Sequence, residues 1–436
     1  MQQYVQYGSY KSTNSPWLGD VPSHWQLQPG LAVLKKNRQK NTGMVEETVL
    51  SLSYGKVVVK PPEKLTGLVP ESFETYQVIK PNDIIIRPTD LQNDQTSLRT
   101  GLAKDHGIIT SAYICLCPMP AHNPVFMHYL LHAYDLMKVF YGMGSGLRQN
   151  LDYRDFKRLD LCLPSCDEQS RIANFLDQKT VEIEEAIAKK QRLIELLKEQ
   201  KTILINRAVT KGLTPDVPMR DSGVEWVGDM PKHWEVKKLK YFSDVQSGIT
   251  LGKQYGGKNL SNYPYLRVAN VQAGFFDLSE IAVLSVPTRV AEQYFVRAGD
   301  ILITEGGDID KLGRGMVWEN QVGNCLHQNH IFAVRVQLEL VSEYFISLAL
   351  GSDYGRRYFT HTANKTTNLA STNKTKLGNF SVAIPPPQEQ QEVLKYSNNV
   401  SEEYDGLIRS ISSEIEKLFE FKKIAVSETV TGKIKL

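Results

Sequence analysis

The sequence has little of what would mark a membrane, secreted or disulfide-built chain. It contains no uninterrupted apolar run of about eighteen residues, so a membrane-spanning helix is not expected. Its start, Met1-Gln2-Gln3-Tyr4, has neither a basic segment nor an apolar one, so a signal peptide is not expected either. Cysteine is scarce: five in 436 residues, an odd number, which does not make a disulfide framework and suits reduced thiols in a cytoplasm. Charge of one sign is lacking too, since 51 Lys and Arg stand against 48 Asp and Glu, a net +3. That balance is too small to announce a nucleic-acid partner by itself. With 41% hydrophobic and 23% charged residues the composition is that of an ordinary folded protein. The length predicts about three domains.

Catalytic and cofactor motifs are also missing. Gly248-Ile249-Thr250-Leu251-Gly252-Lys253 falls one residue short of a phosphate-cradling loop, and Gln254 replaces the Ser or Thr that would hold magnesium. Asn123-Pro124-Val125-Phe126 lacks the second proline of an amino-methyltransferase motif, and no glycine-rich turn after a strand precedes it. It suits the entry to a helical run over 125–140. Asp155-Phe156-Lys157 has no upstream Pro-Asp to complete a nuclease site. Cys115-x-Cys117 and Cys162-x3-Cys166 fit no usual zinc spacing, and the first pair falls in an apolar strand where thiols act as small core residues. His327-Gln328-Asn329-His330 reads as the start of a strand, with His327 and Asn329 on one face and Gln328 and His330 on the other. Two histidines without a placed carboxylate point to polar recognition or a hydrogen-bonded loop rather than a metal. These absences leave a binding or scaffolding protein with no catalytic residues, cofactor or metal of its own.

What is present is a repeat. Trp17-Leu18-Gly19-Asp20-Val21-Pro22-Ser23-His24-Trp25 returns as Trp226-Val227-Gly228-Asp229-Met230-Pro231-Lys232-His233-Trp234. Leu163-Pro164-Ser165-Cys166-Asp167-Glu168-Gln169 returns as Ile384-Pro385-Pro386-Pro387-Gln388-Glu389-Gln390, and Asn82-Asp83-Ile84-Ile85-Ile86 as Gly299-Asp300-Ile301-Leu302-Ile303. The markers keep their order, which gives a duplicated unit of about 215 residues. The indoles of the first marker are expected to pack into the fold rather than stack on a ligand. In each copy a Pro- and Gly-rich part with short strand-like runs precedes a helical part. From 164 to 215 there is no interior proline, and from 147 to 211 no glycine.

Asp167, just inside the first helical stretch, suits free N–H groups at a helix start. Apolar residues then recur in steps of four and three: Ile172, Leu176, Ile183, Ala186, Ile194, Leu197, Leu204 and Ala208, with Lys179, Lys190 and Lys201 in the remaining seam positions. The second helix, from about Glu389 to Val426, carries Val393, Val400, Tyr404, Leu407, Ile411, Ile415 and Leu418, with a stutter at Leu407–Ile411–Ile415 beside Gly406. Each helix is expected to run about 38–42 residues, about 60 Å at ~1.5 Å per residue. A lone helix of that length with one apolar stripe needs a partner. Its duplicate, related by a pseudo-twofold axis, would lie antiparallel to it; packing of each helix on its own globular half is the alternative.

The doubled Trp-x-Gly-x-x-Pro-x-His-Trp segment, the Glu-Gln helix starts and the long closing helices resemble the DNA specificity subunit of type I restriction–modification enzymes. So do 107–113 and 305–315, the latter followed by 327–330, and the resemblance covers nearly the whole chain in the family's domain order. The first helix start departs from the usual pattern, with Cys166 and Asp167 in place of part of its proline-rich segment. The fold implied is α+β, with two duplicated mixed α/β target recognition domains separated by two long helices in an antiparallel coiled coil. Target recognition domain 1 covers 1–163, spacer helix 1 covers 164–211, target recognition domain 2 covers 212–384 and spacer helix 2 covers 385–436. The resemblance further implies a non-catalytic, cytoplasmic subunit that reads a bipartite double-stranded DNA target. Its helices would fix the gap and dock two methyltransferase (modification) subunits and the restriction/translocase subunits. S-adenosylmethionine, ATP and magnesium would belong to those partners. A duplicated DNA-binding scaffold without such partners is the rival reading.

A rod of about 60 Å spans roughly 17 base pairs at ~3.4 Å per pair, enough to place two reading heads about one helical turn apart on one DNA face. The positive balance lies in the globular parts, and residues 385–436 are net negative. Lys35, Lys36, Arg38 and Lys40 form the densest basic run and suit phosphates. Arg148, Gln149 and Asn150, after a glycine-rich stretch, suit base edges, since Arg pairs with guanine and Gln or Asn with adenine. Lys365 and Asn368 occupy the matching place in the second copy, and Arg314, Gln328 and Asn329 complete the candidates. For each, hydrogen bonding within a loop is the alternative.

Overall fold

The computed structural model describes residues 5–61, 63, 72–146, 149–250, 259–272, 274–307, 312–313, 315–365 and 370–436. Two compact units are built, one from Met1–Gln191 with Ser412–Leu436 and the other from Arg192–Ile411. The division falls inside both long helices, not at the change of sequence texture near 163 and 384. The cores explain why. Ile172, Ala173 and Leu176 from the start of the first long helix join Val426 and Val430 from the end of the second in the core of the first unit. In the other unit, Ala208 and Val209 from the end of the first helix meet Val393 from the start of the second.

Each unit repeats one sheet. In the first, four antiparallel strands run in the order Leu34–Lys36, Ile114–Pro118, Ile84–Ile86 and Thr100–Leu102, with Leu116 opposite both Lys36 and Ile84. In the second, the order is Ser243–Ser247, Ile331–Val336, Ile301–Thr304 and Gly315–Val317, with Val334 opposite both Val245 and Ile301. The apolar runs Ile84–Ile86 and Ile301–Ile303 are central strands and almost fully buried, as strands covered on both faces should be. Smaller pairs repeat as well. Gln26–Pro29 pairs with Asp160–Leu163, and Glu235–Lys238 pairs with Ser381–Ile384.

The helix Pro124–Leu136 starts where the sequence placed it: Asn123 is its N-cap, and its side-chain oxygen accepts from the N–H groups of Val125 and Phe126. It stops at Leu136 instead of continuing to 140, because Lys138 adopts a left-handed φ of 62°. A short helix, Tyr153–Lys157, follows farther on. There Asp155 is spent on a capping box with Asp152, accepting from its N–H at 2.7 Å, and this accounts for the Asp-Phe-Lys triplet.

The long helices exceed expectation, at 46 residues for Cys166–Lys211 and 44 for Pro387–Val430. Ser165, not Asp167, supplies the side-chain cap, its hydroxyl accepting from the Glu168 N–H at 3.3 Å. Asp167 sits in the first turn, where its charge opposes the dipole. Within the first unit the two helices run antiparallel, since Glu184 meets Lys422 at 2.6 Å while Lys190 meets Glu414. In the other unit Lys201 bridges both oxygens of Asp405 at 2.9 Å. Two of the lysines that interrupt the apolar stripe, Lys190 and Lys201, are thus matched by carboxylates on the facing helix, while Lys179 pairs with Glu182 on its own helix at 2.8 Å. Two seam assignments change. Ile187 is buried where Ala186 is only half-buried, and Leu407 is 45% exposed while Ile408 turns inward. The inward set Tyr404, Ile408, Ile411, Ile415 steps by four, three and four, so the stutter dissolves.

Candidate nucleic-acid interface

The duplicated motifs assemble into a corner that fixes where each long helix begins. In the first unit the Glu168 carboxylate accepts from the Tyr7 hydroxyl at 2.6 Å, His24 Nε2 at 3.0 Å and Trp25 Nε1 at 3.3 Å. In the second, Glu389 accepts from His233 Nε2 at 2.7 Å and Trp234 Nε1 at 2.9 Å. Burial pushes the Glu168 carboxyl up, and the three donors outweigh it, holding the group below the ordinary glutamate range. The neighbouring glutamines act alike. Gln169 donates to the Pro164 carbonyl and accepts from the Asn123 N–H, while Gln390 donates to the Pro385 carbonyl and accepts from the Ser342 N–H. Asn123 and Ser342 are themselves helix N-caps. Trp25 and Trp234 are at most 1% exposed, so these indoles pack and do not stack on a ligand.

With the motifs spent on architecture, the candidate contacts lie elsewhere. Lys35 and Lys36 lie on the edge strand of the first sheet, and Arg38 and Lys40 follow it; all four are exposed. Among the described residues no ion pair engages any of them. The chain beneath is fixed by Asn37, whose N–H donates to the Cys115 carbonyl at 2.9 Å and whose Nδ2 donates to the Val78 carbonyl at 2.6 Å. The result is a ridge of unneutralised cations on a rigid support, suited to phosphates and silent about sequence.

The loop before Asp152 divides its labour. Gln149 has a left-handed φ of 51°, and its amide donates to the Tyr141 carbonyl at 2.7 Å and the Met143 carbonyl at 3.2 Å. Its polar end closes the loop. Asn150 is exposed, with its side-chain oxygen accepting from the Asp90 N–H at 2.9 Å. Arg148 lies outside the described residues, as do Arg314 and Asn368.

In the second unit the 327–330 segment is not one strand. His327 ends the short strand Leu326–His327, a turn closes with the Ile331 N–H on the Gln328 carbonyl at 2.8 Å, and a new strand starts at Ile331. The alternate-face pattern expected there therefore fails. His327 is fully buried, and burial pushes its imidazole down to about 4. His330 points out and pairs with Glu305 at 2.6 Å. Gln328 accepts from the Val268 N–H at 3.3 Å, and Asn329 is half-buried. The strand Ala370–Ser371 lies between Gly306–Gly307 and Asn364–Lys365, so Lys365 is on the outer strand opposite the one that follows Glu305. Gly307 there has a φ of 146°, which a side chain would oppose. Gly248 of the near-miss phosphate loop is explained by contact, since a Cβ would stand 1.9 Å from the His327 carbonyl oxygen. The rest of that loop, 251–258, lies outside the described residues.

Packing creates one feature that linear reading did not find. The helix Asp353–Thr362 docks on the first long helix, with the Tyr354 N–H on Asn206 Oδ1 at 3.0 Å. Between them opens a cleft of about 810 Å³ lined by Lys198, Arg207, Lys211 and Arg357, with Glu199 and Asp353. A second cleft of about 450 Å³ shares Asp353 and Arg357 and reaches Trp226, Arg356, His361 and Lys365. The Arg356-Arg357 pair was the available signal. Its significance depends on the helix that presents it. All five cysteines are free thiols, and Cys162 donates to the Val430 carbonyl and does not approach Cys166 as a ligand partner.

Residues 231–417 match the family described as type I restriction modification DNA specificity domain. Across 95% of the chain and 90% of the relative, the sequence is 20% identical to the EcoKI specificity subunit of Escherichia coli K12. It is 26% identical to the putative MjaX specificity subunit of Methanocaldococcus jannaschii, in a match that spans 45% of each protein. The fold is shared with a chain solved for complex assembly and conformational transition of the type I R-M system, with a TM-score of 0.67 at 14% identity over 94% of this chain and 98% of that one. It is likewise shared with the HsdS subunit from Thermoanaerobacter tengcongensis, with a TM-score of 0.52 at 14% identity over 95% and 98%. The α+β fold repeats in two units, each unit's core is closed by long-helix segments, and the chain is similar in sequence and fold to type I restriction–modification DNA specificity subunits.

Proposed function

We propose that this chain is the target-reading subunit of a type I restriction–modification complex, each of its two recognition domains (residues 1–163 and 212–384) addressing one half of a bipartite double-stranded DNA sequence. The chain itself is not an enzyme. The observation that carries the reading is the repetition of one sheet order and one Glu–Trp–His corner in a single chain, each copy leading into a helix of more than forty residues. Two similar heads on long helices suit two half-sites at a set gap. The helices, 164–211 and 385–436 with their leading residues, set that gap and dock two methyltransferase subunits together with the restriction/translocase subunits. Those partners supply S-adenosylmethionine, ATP and magnesium in the cytoplasm.

The ridge of Lys35, Lys36, Arg38 and Lys40 takes phosphates. Arg148, Asn150, Arg314, Gln328, Asn329, Lys365 and Asn368 are the candidates for base contacts, and Gln149 shapes the loop ahead of Asn150. Methylome sequencing of cells with and without the complete system tests the reading: a new split motif that disappears with this chain is expected. Methyl transfer by the purified chain alone, or failure to co-purify with a methyltransferase subunit, would overturn it. Lys36→Ala with Arg38→Ala should weaken all sequences alike and lower the salt slope by about two. An unchanged slope removes the ridge from the interface.

A further inference from the structure

The two sheets differ at one place where their architecture is the same. Asp83 and Asp300 occupy equivalent turns ahead of a central strand. The first accepts from the Lys80 N–H at 2.9 Å and the second from the Arg297 N–H at 2.8 Å. Both carboxylates are buried, at 8% and 1% exposure. A carboxylate so placed needs a positive partner. Asp300 has one: Arg335, on the adjacent strand, donates Nε and a terminal nitrogen to its two oxygens at 2.8 and 2.6 Å.

The register equates Leu116 with Val334, so Cys117 stands where the second unit has Arg335, and Cys115 where it has Ala333. The guanidinium is gone, and among the described residues Asp83 makes no ion pair. In its place stand two thiols on one face of the strand. One ligand atom each from Asp83, Cys115 and Cys117 lies within 4.8 Å of the others. Cys115 is fully buried and Cys117 half-buried.

We infer that Asp83, Cys115 and Cys117 form a binding site for a thiophilic divalent cation of the zinc type, which supplies the charge that Arg335 supplies in the other unit. Two sulfurs and one carboxylate oxygen are three of the four ligands of a tetrahedral zinc site, whose bonds run ~2.3 Å to sulfur and ~2.0–2.2 Å to oxygen. The half-exposed side of Cys117 leaves water as the fourth ligand. Loading converts both thiols to thiolates and releases their protons to solvent, so affinity falls as pH falls. The Cys115 thiol lies beside the Cys117 sulfur and is buried, and both effects hold it protonated without metal. The site would clamp the strand that supports the basic ridge to its central neighbour. Lys35, opposite Cys117 on the edge strand, is the rival source of charge. It is exposed and makes no ion pair with Asp83 among the described residues.

The test uses the reduced full-length chain, with zinc and, for its visible spectrum, cobalt. About one zinc per chain is expected after loading and desalting, with near-ultraviolet thiolate-to-cobalt absorption that titrates to one equivalent. Cys117→Ser and Cys115→Ser should each remove the absorption and most of the bound zinc. Cys117→Arg restores the arrangement of the second unit, so it should fold, bind no zinc and have a thermal midpoint that a chelator leaves unchanged. The chelator should lower the midpoint of the unaltered chain. Absence of the cobalt–thiolate absorption overturns the proposal, as does zinc retained in full by the Ser variants. A chelator-insensitive midpoint that falls on Lys35→Ala also overturns it, by giving the counter-charge to Lys35.

Discussion

The Glu168 corner allows a quantitative test of how the duplicated motif works. In Glu168→Ala three donors lose one acceptor pair. Trp25 is fully buried and cannot turn its Nε1 to water, so its N–H stays unsatisfied at a cost of about 1–3 kcal/mol. Tyr7 is half-buried, and its hydroxyl can rotate, which makes its loss about 1 kcal/mol. The His24 side chain is 55% exposed and rehydrates with little cost. The total is about 2–4 kcal/mol. Glu389→Ala in the second unit strands only the buried Trp234 Nε1, since the His233 side chain is 42% exposed, and should cost about 1–3 kcal/mol. Urea unfolding of both variants gives the two free energies, and hydrogen exchange locates each loss at the first turn of the corresponding long helix. Glu168→Gln keeps one carbonyl acceptor and should fall between Glu168→Ala and the unaltered chain. The reasoning fails if Glu168→Ala lies within about 0.5 kcal/mol of the unaltered chain, or if Glu389→Ala costs more than Glu168→Ala.

Three further outcomes follow from other contacts. Gly248→Ala forces a Cβ to 1.9 Å from a backbone oxygen that cannot rotate away, so it should destabilise by about 3 kcal/mol or more; a stability equal to that of the unaltered chain would show that the strand crossing is looser than drawn. A double-mutant cycle on Lys201→Ala and Asp405→Ala should give a coupling of about 0.5 kcal/mol, because the Asp405 side chain is 48% exposed, and 1 M salt should reduce it. A salt-independent coupling would mean that the pair acts through packing. His128 and His132, half-buried on the helix Pro124–Leu136, have imidazoles that desolvation pushes down to about 3 and about 4. The folded chain therefore binds fewer protons than the unfolded one below pH 6.5, and stability is lost as pH falls from 6.5 toward 4. At pH 5 the loss is up to about 2 kcal/mol per histidine. Denaturant midpoints at pH 7 and pH 5 should move closer together in His128→Gln, and an unchanged gap would assign the acid sensitivity to other groups.

The repeat, the α+β class and the long helices were legible in the sequence because each is written in local order. Markers recur in sequence, glycine and proline vanish from the helical stretches, and apolar residues fall in steps of four and three. The packed fate of Trp25 and the helix entry after Asn123-Pro124 were equally local. The partners of these residues were not. Glu168 and Glu389 meet their tryptophans across more than 140 residues, and no spacing rule joins them. The seam positions of Lys190 and Lys201 looked like defects until facing carboxylates on the other helix gave them partners.

Tertiary structure also decided which candidate residues have free polar groups. Lys35, Lys36, Arg38 and Lys40 are exposed and make no ion pair among the described residues, whereas Gln149 is consumed by its own loop. A turn between His327 and Ile331 cancelled a strand that alternation had suggested. The cationic cleft beside Arg357 exists only because one helix lies on another. Sequence periodicity specifies which face of an element is apolar, and hence that it must be covered. It does not specify which distant charge or donor arrives with the covering element. Asp83 shows this most clearly: the same turn and the same carboxylate occur twice, and the strand pairing, with the same register in both units, brings Arg335 beside one carboxylate and Cys115 and Cys117 beside the other.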